Sequence, residues 1–511
     1  MSPSVWKRLR QTTQILALLL FLALFAYTNA QRPERFWSDI FMRLDPLLML
    51  STSLAGRVVL AGLAFAGIVV VLTLLFGRVW CGWLCPLGTV LEWLGPRRSR
   101  RKAPPERLRA IKYLLLFAIL IAALLGNQTL VVLDPITILN RTLVTVVWPA
   151  LRYAVLSAEG SLYQVPALWG PLDAIHRALV QPVFQEVQPV FSLAWLTALF
   201  FAGLVALNWL AERFWCRYLC PLGGLLGLLS KLSLVRREVG DNCAQCARCT
   251  NQCPTGTIDP ADGYRSDPAE CIVCYDCLTD CTRTGIGFRW QLLRWRPARW
   301  REYNSTRRQA LGVIGLSVAG VTLAGVEPIR ARQPATLIRP PGAGADFSAL
   351  CVRCSACVRV CPTQGLQPSL FEGGIQNVLT PKLVPRLGYC SFSCNACGQV
   401  CPTEAISPLG LEEKQQAVIG LASVNRDRCL PWAHNIPCIV CEEACPVADK
   451  AIQLEEVQAV NAEGERIVLQ RPRVIQELCI GCGICEFQCP MGGESAIRVY
   501  APTDVSSQLA I

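Results

Sequence analysis

The spacing of cysteines constrains this chain more than any other feature. Residues 243–281 contain two consecutive C-x2-C-x2-C-x3-C runs, and each run has the spacing that binds a [4Fe–4S] cluster. Where two such runs occur together, the fourth cysteine of each run binds the other cluster. The predicted ligand sets are site 1 (Cys243, Cys246, Cys249 and Cys281) and site 2 (Cys271, Cys274, Cys277 and Cys253). The competing interpretation is that the CxxC pairs bind zinc. Zinc modules, however, do not use this eight-cysteine crossover.

The same eight-cysteine arrangement occurs twice more towards the C-terminus. Two runs are variants, with three residues between Cys390 and Cys394 and eight between Cys429 and Cys438, and both still place three cysteines on one loop. The predicted sets are site 3 (Cys351, Cys354, Cys357 and Cys401), site 4 (Cys390, Cys394, Cys397 and Cys361), site 5 (Cys429, Cys438, Cys441 and Cys489) and site 6 (Cys479, Cys482, Cys485 and Cys445). The six sites use all but four of the 28 cysteines. We therefore predict six iron-bound [4Fe–4S] clusters in three two-cluster, bacterial-ferredoxin-like α+β units.

The remaining four cysteines form an internal repeat, which we call the CxxxCP quartet. Cys81 and Cys85, like Cys216 and Cys220, lie in a C-x-x-L-C-P-L-G motif after an apolar run, and the two motifs are 135 residues apart. If the apolar helix continues through the motif, both cysteines share one helix face and the following proline ends the helix. Three interpretations are open. The quartet binds a seventh cluster, its thiols are redox-active or otherwise reactive, or the cysteines only pack in a core.

The apolar composition predicts a membrane domain. Hydrophobic residues make up 52% of the chain and charged residues only 17%. Four apolar runs are predicted to be membrane spans, at about 20 residues per crossing, and a fifth lies near 309–326. The four runs cover residues 15–27, 58–80, 111–132 and 191–210. From Arg332 onward there are 14 basic and 17 acidic residues, so the +12 net charge comes from the earlier part, whose basic loops the positive-inside rule places in the cytoplasm.

Two stretches bear on processing and export. Residues 1–30 are either a cleaved signal peptide that ends near Thr28-Asn29-Ala30 or a retained helix, and a retained helix gives the later charges a consistent topology. Residues 305–311 (STRRQAL) look like a twin-arginine export signal, with an ordinary fifth span anchored by arginines as the alternative. Both alternatives place the C-terminal part outside the cytoplasm.

These patterns divide the chain into five predicted segments. The segments are a four-span membrane domain (1–235), a cytoplasmic ferredoxin unit (236–300), the twin-arginine-like segment with the fifth span and a linker (301–345), and two further ferredoxin units (346–410 and 411–511).

On these motifs the chain resembles two known protein types joined together. The first 300 residues, with four spans, two CxxxCP motifs and a two-cluster unit, resemble the NapH-type quinol dehydrogenase membrane component of periplasmic nitrate reductase systems. The part from Ser305 resembles the NapG or MauM type of ferredoxin subunit, which carries a twin-arginine signal and four [4Fe–4S] clusters. The resemblance implies a membrane quinol donor and a periplasmic acceptor, either a redox protein or a cytochrome. It implies a bacterial inner-membrane protein, with the N-terminus and residues 236–300 cytoplasmic and the C-terminal domain periplasmic.

The absence of haem-binding and nucleotide-binding motifs limits which redox cofactors the chain can hold. The chain has two histidines and no CxxCH, which excludes built-in bis-histidine and c-type haem. No P-loop and no GxGxxG after a strand is present to bind a nucleotide, and nothing resembles a nucleic-acid module. What remains is an electron-transfer protein in the lipid bilayer, and the resemblance implies that it passes electrons from quinol to a periplasmic acceptor. The alternatives are a maturation factor for a periplasmic metalloenzyme and a conduit fed by cytoplasmic ferredoxin, and whether the chain itself has quinol dehydrogenase activity stays open.

Two aspartates are candidates for a quinone site. Quinol oxidation needs a proton acceptor close to the lipid. Asp45 in RLDPLLML and Asp134 in VLDPITIL both precede a proline at the predicted outer face. The alternative role for both side chains is ordinary capping of a helix N-terminus.

Overall fold

The chain divides into two compact units in the computed structural model, which describes residues 3–28, 39–95, 105–184, 190–281, 283, 285–290, 307–323, 337–460 and 464–502. The first unit consists of Met1–Ala26, Asp39–Thr142 and Leu196–Pro328, and the second of Tyr27–Ser38, Leu143–Trp195 and Ile329–Ile511. The first ferredoxin unit thus falls with the apolar helices. Residues 143–195 fall with the two C-terminal ferredoxin units.

Short helices and two-stranded sheets make up both units. The α-helices are α1 (Pro3–Tyr27), α2 (Ile40–Arg43), α3 (Pro46–Gly56), α4 (Gly62–Phe76), α5 (Pro86–Leu94), α6 (Ala110–Leu124), α7 (Pro135–Thr142), α8 (Trp148–Leu162), α9 (Trp169–Ile175), α10 (Gln181–Val183), α11 (Ala194–Ala206), α12 (Pro221–Ser230), α13 (Arg248–Asn251), α14 (Asp276–Thr279), α15 (Arg307–Leu323), α16 (Phe347–Leu350), α17 (Ala356–Val360), α18 (Ala396–Gln399), α19 (Leu411–Gln416), α20 (Val440–Glu443) and α21 (Ile484–Gln488). The strands are β1 (Val235–Val239), β2 (Ile258–Asp259), β3 (Arg265–Ser266), β4 (Ile286–Trp290), β5 (Leu366–Pro368), β6 (Pro381–Leu383), β7 (Leu421–Val424), β8 (Ile452–Val460), β9 (Arg466–Val474) and β10 (Ile497–Tyr500).

Three of the four apolar helices of the first unit are shorter than the runs that predicted them, whereas α1, with 25 residues, is longer than its run. α4 and α6 have 15 residues each and α11 has 13, whereas a straight helix needs about 20 residues to cross a bilayer. Among the described residues, only α1, over Ser4–Tyr27, is long and apolar enough to cross a membrane by itself. Helix length therefore does not support the prediction of four full spans. One local reason is Gly77, whose φ of 80° ends α4 before the first cysteine motif.

The core of the first unit forms around α6. Its buried face includes Leu116, Ile119 and Ala122, and α3, α12 and α15 pack against it. Ser317 of α15 donates from Oγ to Leu114 O of α6 at 3.1 Å. The predicted fifth span is therefore a 17-residue helix within this unit. Residues 305 and 306 of the twin-arginine-like segment lie outside the described residues.

The first ferredoxin unit has the expected α+β form. β1 pairs antiparallel with β4, with Val235 opposite Trp290, and β2 pairs antiparallel with β3. The short helices α13 and α14 each follow a cysteine loop and pack together around Cys249, Ile258 and Cys277. The sheet joins the two ends of the unit, so the cysteine loops lie between them.

The second compact unit contains two ferredoxin units of the same α+β form. β7 pairs antiparallel with β10 and closes the last ferredoxin unit, and a core of Val360, Ala396 and Val400 joins α17 to α18 in the preceding one. β8 and β9, of nine residues each, pair antiparallel with Ile452 opposite Val474. α8 to α10 belong to this unit too. Arg359 lies over the ring of Trp148 at 4.5 Å, and Gln367 Nε2 donates to Val190 O at 3.1 Å.

Candidate iron–sulfur sites

Four of the six cluster loops share one backbone conformation. In each of them, the residues immediately before and after the second cysteine have positive φ. The pairs are Gln245 and Ala247, Val273 and Tyr275, Arg353 and Ser355, and Gly481 and Gly483. Three loops therefore hold non-glycine residues in a region that L-residues rarely adopt. Strain of this kind, about 1–3 kcal/mol per residue, persists where the surrounding structure imposes it and is typical of ligand-binding loops.

The cysteines of site 2 come together from both runs of the first ferredoxin unit. Cys253, the last cysteine of the first run, lies within electrostatic range of all three leading cysteines of the second run. Cys249 interacts with Cys243 of its own run. Site 2 is the more enclosed of the two, because Cys274 is buried whereas Cys246 of site 1 is exposed.

Three of the four C-terminal sites surround a cavity. The cavities at sites 3, 5 and 6 contain about 340, 380 and 340 Å³ of empty space, and all four predicted cysteines line each one. At site 4, Cys361 lies within electrostatic range of the three cysteines on the other run. Each of these three cavities is thus lined by a complete predicted set of four cysteines.

The surroundings of these sulfurs fit an iron–sulfur cluster. Backbone N–H groups point at several of them, which is one means by which proteins tune cluster potentials. The donors are Ile406 N to Cys401 Sγ (3.5 Å), Ala422 N to Cys479 Sγ (3.4 Å) and Ala496 N to Cys489 Sγ (3.4 Å). Among the residues that the structure describes, no three histidine, cysteine or acidic side chains are placed to hold a single metal ion. A cluster fits these wider sets because each of its four irons takes one thiolate, and the ligand assignments themselves stay predictions.

The CxxxCP quartet is also brought together. Cys85 lies within electrostatic range of Cys81 and Cys216, and Cys220 lies within range of the other three. All four side chains are buried. The structure therefore places four thiols from two distant segments around one point, which is the first requirement for a shared ligand.

The helix expected to run through each CxxxCP motif is not continuous. Residues 80–84 and 215–219 form π-helical turns, and a new helix begins at Pro86 and at Pro221. Proline suits the first position of a helix because its φ is fixed and its missing N–H needs no partner there. Cys85 and Cys220 consequently become N-caps, and their sulfurs accept from the N–H three residues later, at 3.5 and 3.2 Å. The prolines thus turn the last cysteine of each motif towards the site.

An arginine precedes each motif and lies beside the quartet. Arg213 Nη1 donates to Cys81 O in the opposite motif at 3.1 Å. Arg78 Nη2 lies 4.0 Å from Cys81 Sγ. A Cβ on Gly223 of the opposite motif would lie 2.8 Å from the same Arg78 nitrogen. Both side chains are buried and supply positive charge that offsets thiolates. Sequence reasoning missed this pair, although the 135-residue repeat that relates the cysteines also relates Arg78 to Arg213.

The first ferredoxin unit contacts the first CxxxCP motif directly. Trp83 Nε1 donates to Val273 O at 2.9 Å. A Cβ at Gly82 would lie 2.1 Å from Ile272 O, so this close approach requires glycine. Ile272 and Val273 lie between the first two cysteines of site 2. Site 2 is therefore the ferredoxin site next to the quartet.

Buried ion pairs hold this contact. Lys112 Nζ donates to Glu270, the residue before the first cysteine of site 2, and Arg78 Nη1 lies 3.5 Å from Glu270 Oε2. The three side chains are at most 4% exposed. A carboxylate between two buried cations fixes the orientation of the loop, and loss of one partner leaves an unpaired buried charge.

A half-buried carboxylate ties α1 to the quartet. Arg10 and Arg213 both pair with Glu92 of α5, and Gln14 of α1 donates to Glu92 Oε2 at 2.9 Å and to Gly82 O at 3.0 Å. Burial alone would raise the pKa of Glu92, but Arg213 and Arg10 lower it to about 2. The N-terminal helix thus supplies polar side chains to the site.

The two candidate aspartates meet. Both are fully buried, and each caps a helix: Asp45 Oδ1 accepts from Leu47 N at 2.8 Å, and Asp134 Oδ2 accepts from Ile136 N at 2.9 Å. The capping role is therefore confirmed. The other oxygens, Asp45 Oδ2 and Asp134 Oδ1, have no N–H donor among the described residues, and the two side chains hydrogen-bond to each other. Burial raises the pKa of both, to about 6 for Asp45, and the charge of Asp45 raises that of Asp134 further.

Family models describe four segments of the chain as iron–sulfur domains. One 4Fe-4S binding domain matches residues 58–104 and again 193–240, a 4Fe-4S dicluster domain matches 350–406, and a second 4Fe-4S binding domain matches 472–493. The first two segments contain the two CxxxCP motifs. The internal repeat seen in the cysteines is therefore a repeat of one domain type.

Curated relatives are ferredoxin-type proteins. The methylamine utilization ferredoxin-type protein MauM of Methylorubrum extorquens is 39% identical over 169 residues, which cover 32% of this chain and 73% of the relative. The ferredoxin-type protein NapG of Escherichia coli is 35% identical over 173 residues, which cover 33% of this chain and 72% of the relative. Protein NirI of Paracoccus denitrificans is 28% identical over 298 residues, 54% of this chain but 34% of the relative. No solved structure matches the chain.

Proposed function

Because the chain belongs to the family of ferredoxin-type iron–sulfur proteins that includes MauM and NapG, we propose that it takes electrons from membrane quinol and passes them to a protein acceptor outside the cytoplasm. The family and the 4Fe–4S binding domains give the chain an iron–sulfur electron-transfer role. When bound, the clusters supply one-electron chemistry. The NapH-like character of the first 300 residues, the quinol donor and the outside acceptor are our proposal.

One observation carries the proposal: a buried acid pair, the CxxxCP quartet and site 2 adjoin one another within the first unit. Asp45 lies within electrostatic range of Cys85, and the loop of site 2 contacts Gly82 of the same motif. Oxidation of one quinol to quinone releases two electrons and two protons. A protein that oxidises quinol needs a proton acceptor beside its first electron acceptor. Here the acid pair would accept the proton, and clusters held by the quartet and site 2 would accept the electrons.

Exposed apolar side chains support a place in lipid. Leu19 of α1 is 56% exposed, Val71 of α4 is 54% exposed and Leu199 of α11 is 64% exposed. Soluble proteins rarely leave large contiguous apolar patches uncovered, and all three helices belong to the first unit. We propose that these helices lie in the bilayer, although most of them are shorter than a full span.

The proposed topology rests on contacts within the second unit. Residues 143–195 follow the helix that leaves the basic loop, and the positive-inside rule places them outside. The C-terminal ferredoxin units pack on these residues through the contacts of Arg359 with Trp148 and of Gln367 with Val190. Domains that form one body with an outside loop are themselves outside. A reporter fused after Ile511 should be active in the periplasm, and a cytoplasmic readout would contradict the topology.

The acid pair is the proposed proton acceptor. Asp134 keeps its proton and donates it to the ionised Asp45, since two carboxylates in contact cannot both ionise. The pair can then take up one of the two protons that quinol releases, while the other passes to water at the membrane surface and the two electrons would pass one at a time to clusters held by the quartet and site 2. Its raised pKa brings this uptake close to neutral pH, where an acceptor is most effective.

Quinol-dependent reduction tests the proposal. Quinol added to membranes that contain the full chain should reduce its clusters and so bleach their visible absorption. The double substitution Asp45→Asn with Asp134→Asn should lower the rate of this bleaching at least tenfold. Asparagine still caps both helices, so dithionite should reduce the variant as fully as the parent. Asp39→Asn, which removes a nearby buried carboxylate paired with Arg43, is the matched control. Equal quinol rates in all three proteins would remove the proposal.

The pH profile gives an independent check. Because burial raises the pKa of Asp45 from 3.8 to about 6, the folded protein binds this proton more tightly than the unfolded chain does. The resulting stabilisation is complete below pH 3.8 and is lost as the pH rises through about 6. Quinol oxidation should change in the opposite direction and accelerate as the pH rises through the same range. Asp45→Asn should flatten both profiles.

The quartet is proposed to hold a seventh cluster. Its four thiols converge, two N–H groups point at its sulfurs, and both motifs lie in segments that match a 4Fe-4S binding domain. Iron and sulfide analysis of the purified chain should give seven clusters, and Cys85→Ser with Cys220→Ser should reduce the count to six. Six clusters in both proteins would leave the quartet as reactive or packing thiols.

Site 1 favours a second candidate function. Cys246 is exposed and Cys243 is half-buried, so site 1 is open to a soluble partner. A cytoplasmic ferredoxin could deliver electrons there instead of quinol. Reduction by added ferredoxin, but not by quinol, would favour this direction of flow.

A further inference from the structure

We infer that the four C-terminal sites lie in one line in the order 3, 4, 6, 5, so that the two ferredoxin units of the second unit are joined through sites 4 and 6. The inference rests on the cluster binding in the proposed function and says nothing of the donor. The order differs from the order of the cysteine runs along the chain. It follows from which cysteines face one another.

Neighbours within each ferredoxin unit come first. Cys357 of site 3 lies within electrostatic range of Cys397 of site 4. Cys485 of site 6 lies within range of Cys441 of site 5. Each of the two C-terminal ferredoxin units therefore has two adjacent sites. The order of all four sites then depends on which sites meet between the two ferredoxin units.

The join is a main-chain contact between two cluster ligands. Cys390 N donates to Cys482 O at 2.8 Å, and the two thiols interact electrostatically. Cys390 belongs to site 4 and Cys482 to site 6. No side chain separates these two ligands along the hydrogen bond, so this is a short path between the ferredoxin units.

A close backbone approach secures the join. Gly483, next to Cys482, has φ of 79°, and a Cβ there would lie 2.8 Å from Cβ of Pro385. Tyr389 packs against Phe487 with ring centroids 5.3 Å apart. Glycine at 483 thus meets both demands, the positive φ and the lack of space.

Arg386 clamps the two loops together. Its guanidinium donates to Cys489 O at 3.1 Å, Glu486 O at 3.3 Å and Gly493 O at 3.1 Å, and also to Met491 O. The side chain comes from the loop before site 4, and its partners surround the last cysteine of the chain. One side chain therefore ties the loop before site 4 to residues 486–493 of the other ferredoxin unit, which follow Cys485 of site 6 and include Cys489 of site 5.

The order has a functional consequence. Sites 4 and 6 are interior, and sites 3 and 5 are the two ends at which electrons enter and leave. Each transfer along the line oxidises one site as it reduces the next, with no proton or bond change. Cys438 and Cys441 of site 5 are half-buried, whereas all four cysteines of site 3 are buried. Site 5 is thus the more accessible end.

Magnetic coupling between reduced clusters tests the order in the full chain. In dithionite-reduced protein, the electron spin of site 6 should relax faster because site 4 is its neighbour. Cys394→Ser, which removes site 4, should slow the relaxation of site 6, and Cys354→Ser, which removes site 3, should leave it unchanged. An equal response of site 6 to both losses would overturn the order.

A second pair of variants covers the case in which loss of a cysteine prevents cluster assembly. Gly483→Ala forces the join apart, whereas Gly464→Ala has nearly the same φ, 84°, but open space around it. Gly483→Ala should weaken the coupling between sites 4 and 6 at unchanged iron content, and Gly464→Ala should not. Unchanged coupling in both would overturn the inference. Because no quinol is used, this result is separate from the quinol test, and a chain without iron would fail the proposed function instead.

Discussion

The two units attach ferredoxin folds by different physical means. In the first unit, buried charges hold the ferredoxin unit to the helices, with Glu270 between Lys112 and Arg78. In the second, main-chain groups hold two ferredoxin units to each other, through Cys390 and Cys482. An ion pair fixes an orientation but leaves a buried charge when one partner is lost, whereas a main-chain contact survives many side-chain changes but not an added Cβ. The two joints should therefore fail under different substitutions.

The charged joint should show the largest effect. Glu270→Gln leaves Lys112 and Arg78 buried without a counter-charge and should lower the free energy of unfolding of the first unit by about 3–5 kcal/mol. Thermal and denaturant unfolding in detergent measures this. Glu455→Gln removes an exposed carboxylate paired with Arg473 and should change stability by at most about 1 kcal/mol. Similar losses in both variants would show that burial does not set the strength of this joint.

The clamp of the second joint should come next. Arg386→Ala removes several charge-assisted hydrogen bonds to carbonyl groups and should destabilise the second unit by about 2–3 kcal/mol. Arg473→Ala, at an exposed ion pair, is the control and should be nearly neutral. Protease resistance of the C-terminal part reports the change. Should Arg386→Ala prove neutral, the main-chain contact alone would hold the joint.

An added methyl group tests how closely the first joint is packed. Gly82→Ala places a Cβ 2.1 Å from Ile272 O and should cost about 1–2 kcal/mol through overpacking, while slowing quinol-dependent reduction. Gly203→Ala lies in α11 with nothing within 4 Å and should stabilise slightly, by up to about 1 kcal/mol. Opposite signs for the two variants are the expected result. Equal effects would mean that the loop of site 2 can move away from the quartet freely.

The smallest expected effect is electronic. Lys414 of α19 is 2% exposed, hydrogen-bonds to Cys390 and donates to Phe392 O at 3.3 Å. Its positive charge favours the reduced form of site 4, so Lys414→Met should make the potential of that site more negative with little loss of fold. EPR-monitored redox titration measures this. Lys382→Met, which removes a cation that pairs with Glu372, should leave the potential where it was.

Sequence reasoning succeeded where the chemistry is local. Cysteines two or three residues apart lie on one loop whatever the rest of the chain does, and the structure brings the predicted cysteines of sites 2 to 6 close to one another, although their role as ligands stays a prediction. The apolar runs likewise predicted helices. The lengths of the later three were overestimated, because hydrophobicity alone does not show where Gly77 or a π-helical turn interrupts a helix. The capping aspartates were recognised from Asp-Pro, but their meeting was not.

The sequence by itself predicted the cysteine sets and determined the repeat of the CxxxCP motif and the approximate positions of the apolar helices, since each depends mainly on residues close together in the chain. Only the tertiary structure decided which site lies next to which. It placed site 2 on the quartet, Asp45 against Asp134, and Cys390 of site 4 beside Cys482 of site 6. The physical reason is that contacts between distant segments depend on how whole surfaces pack, and no local spacing of residues carries that information.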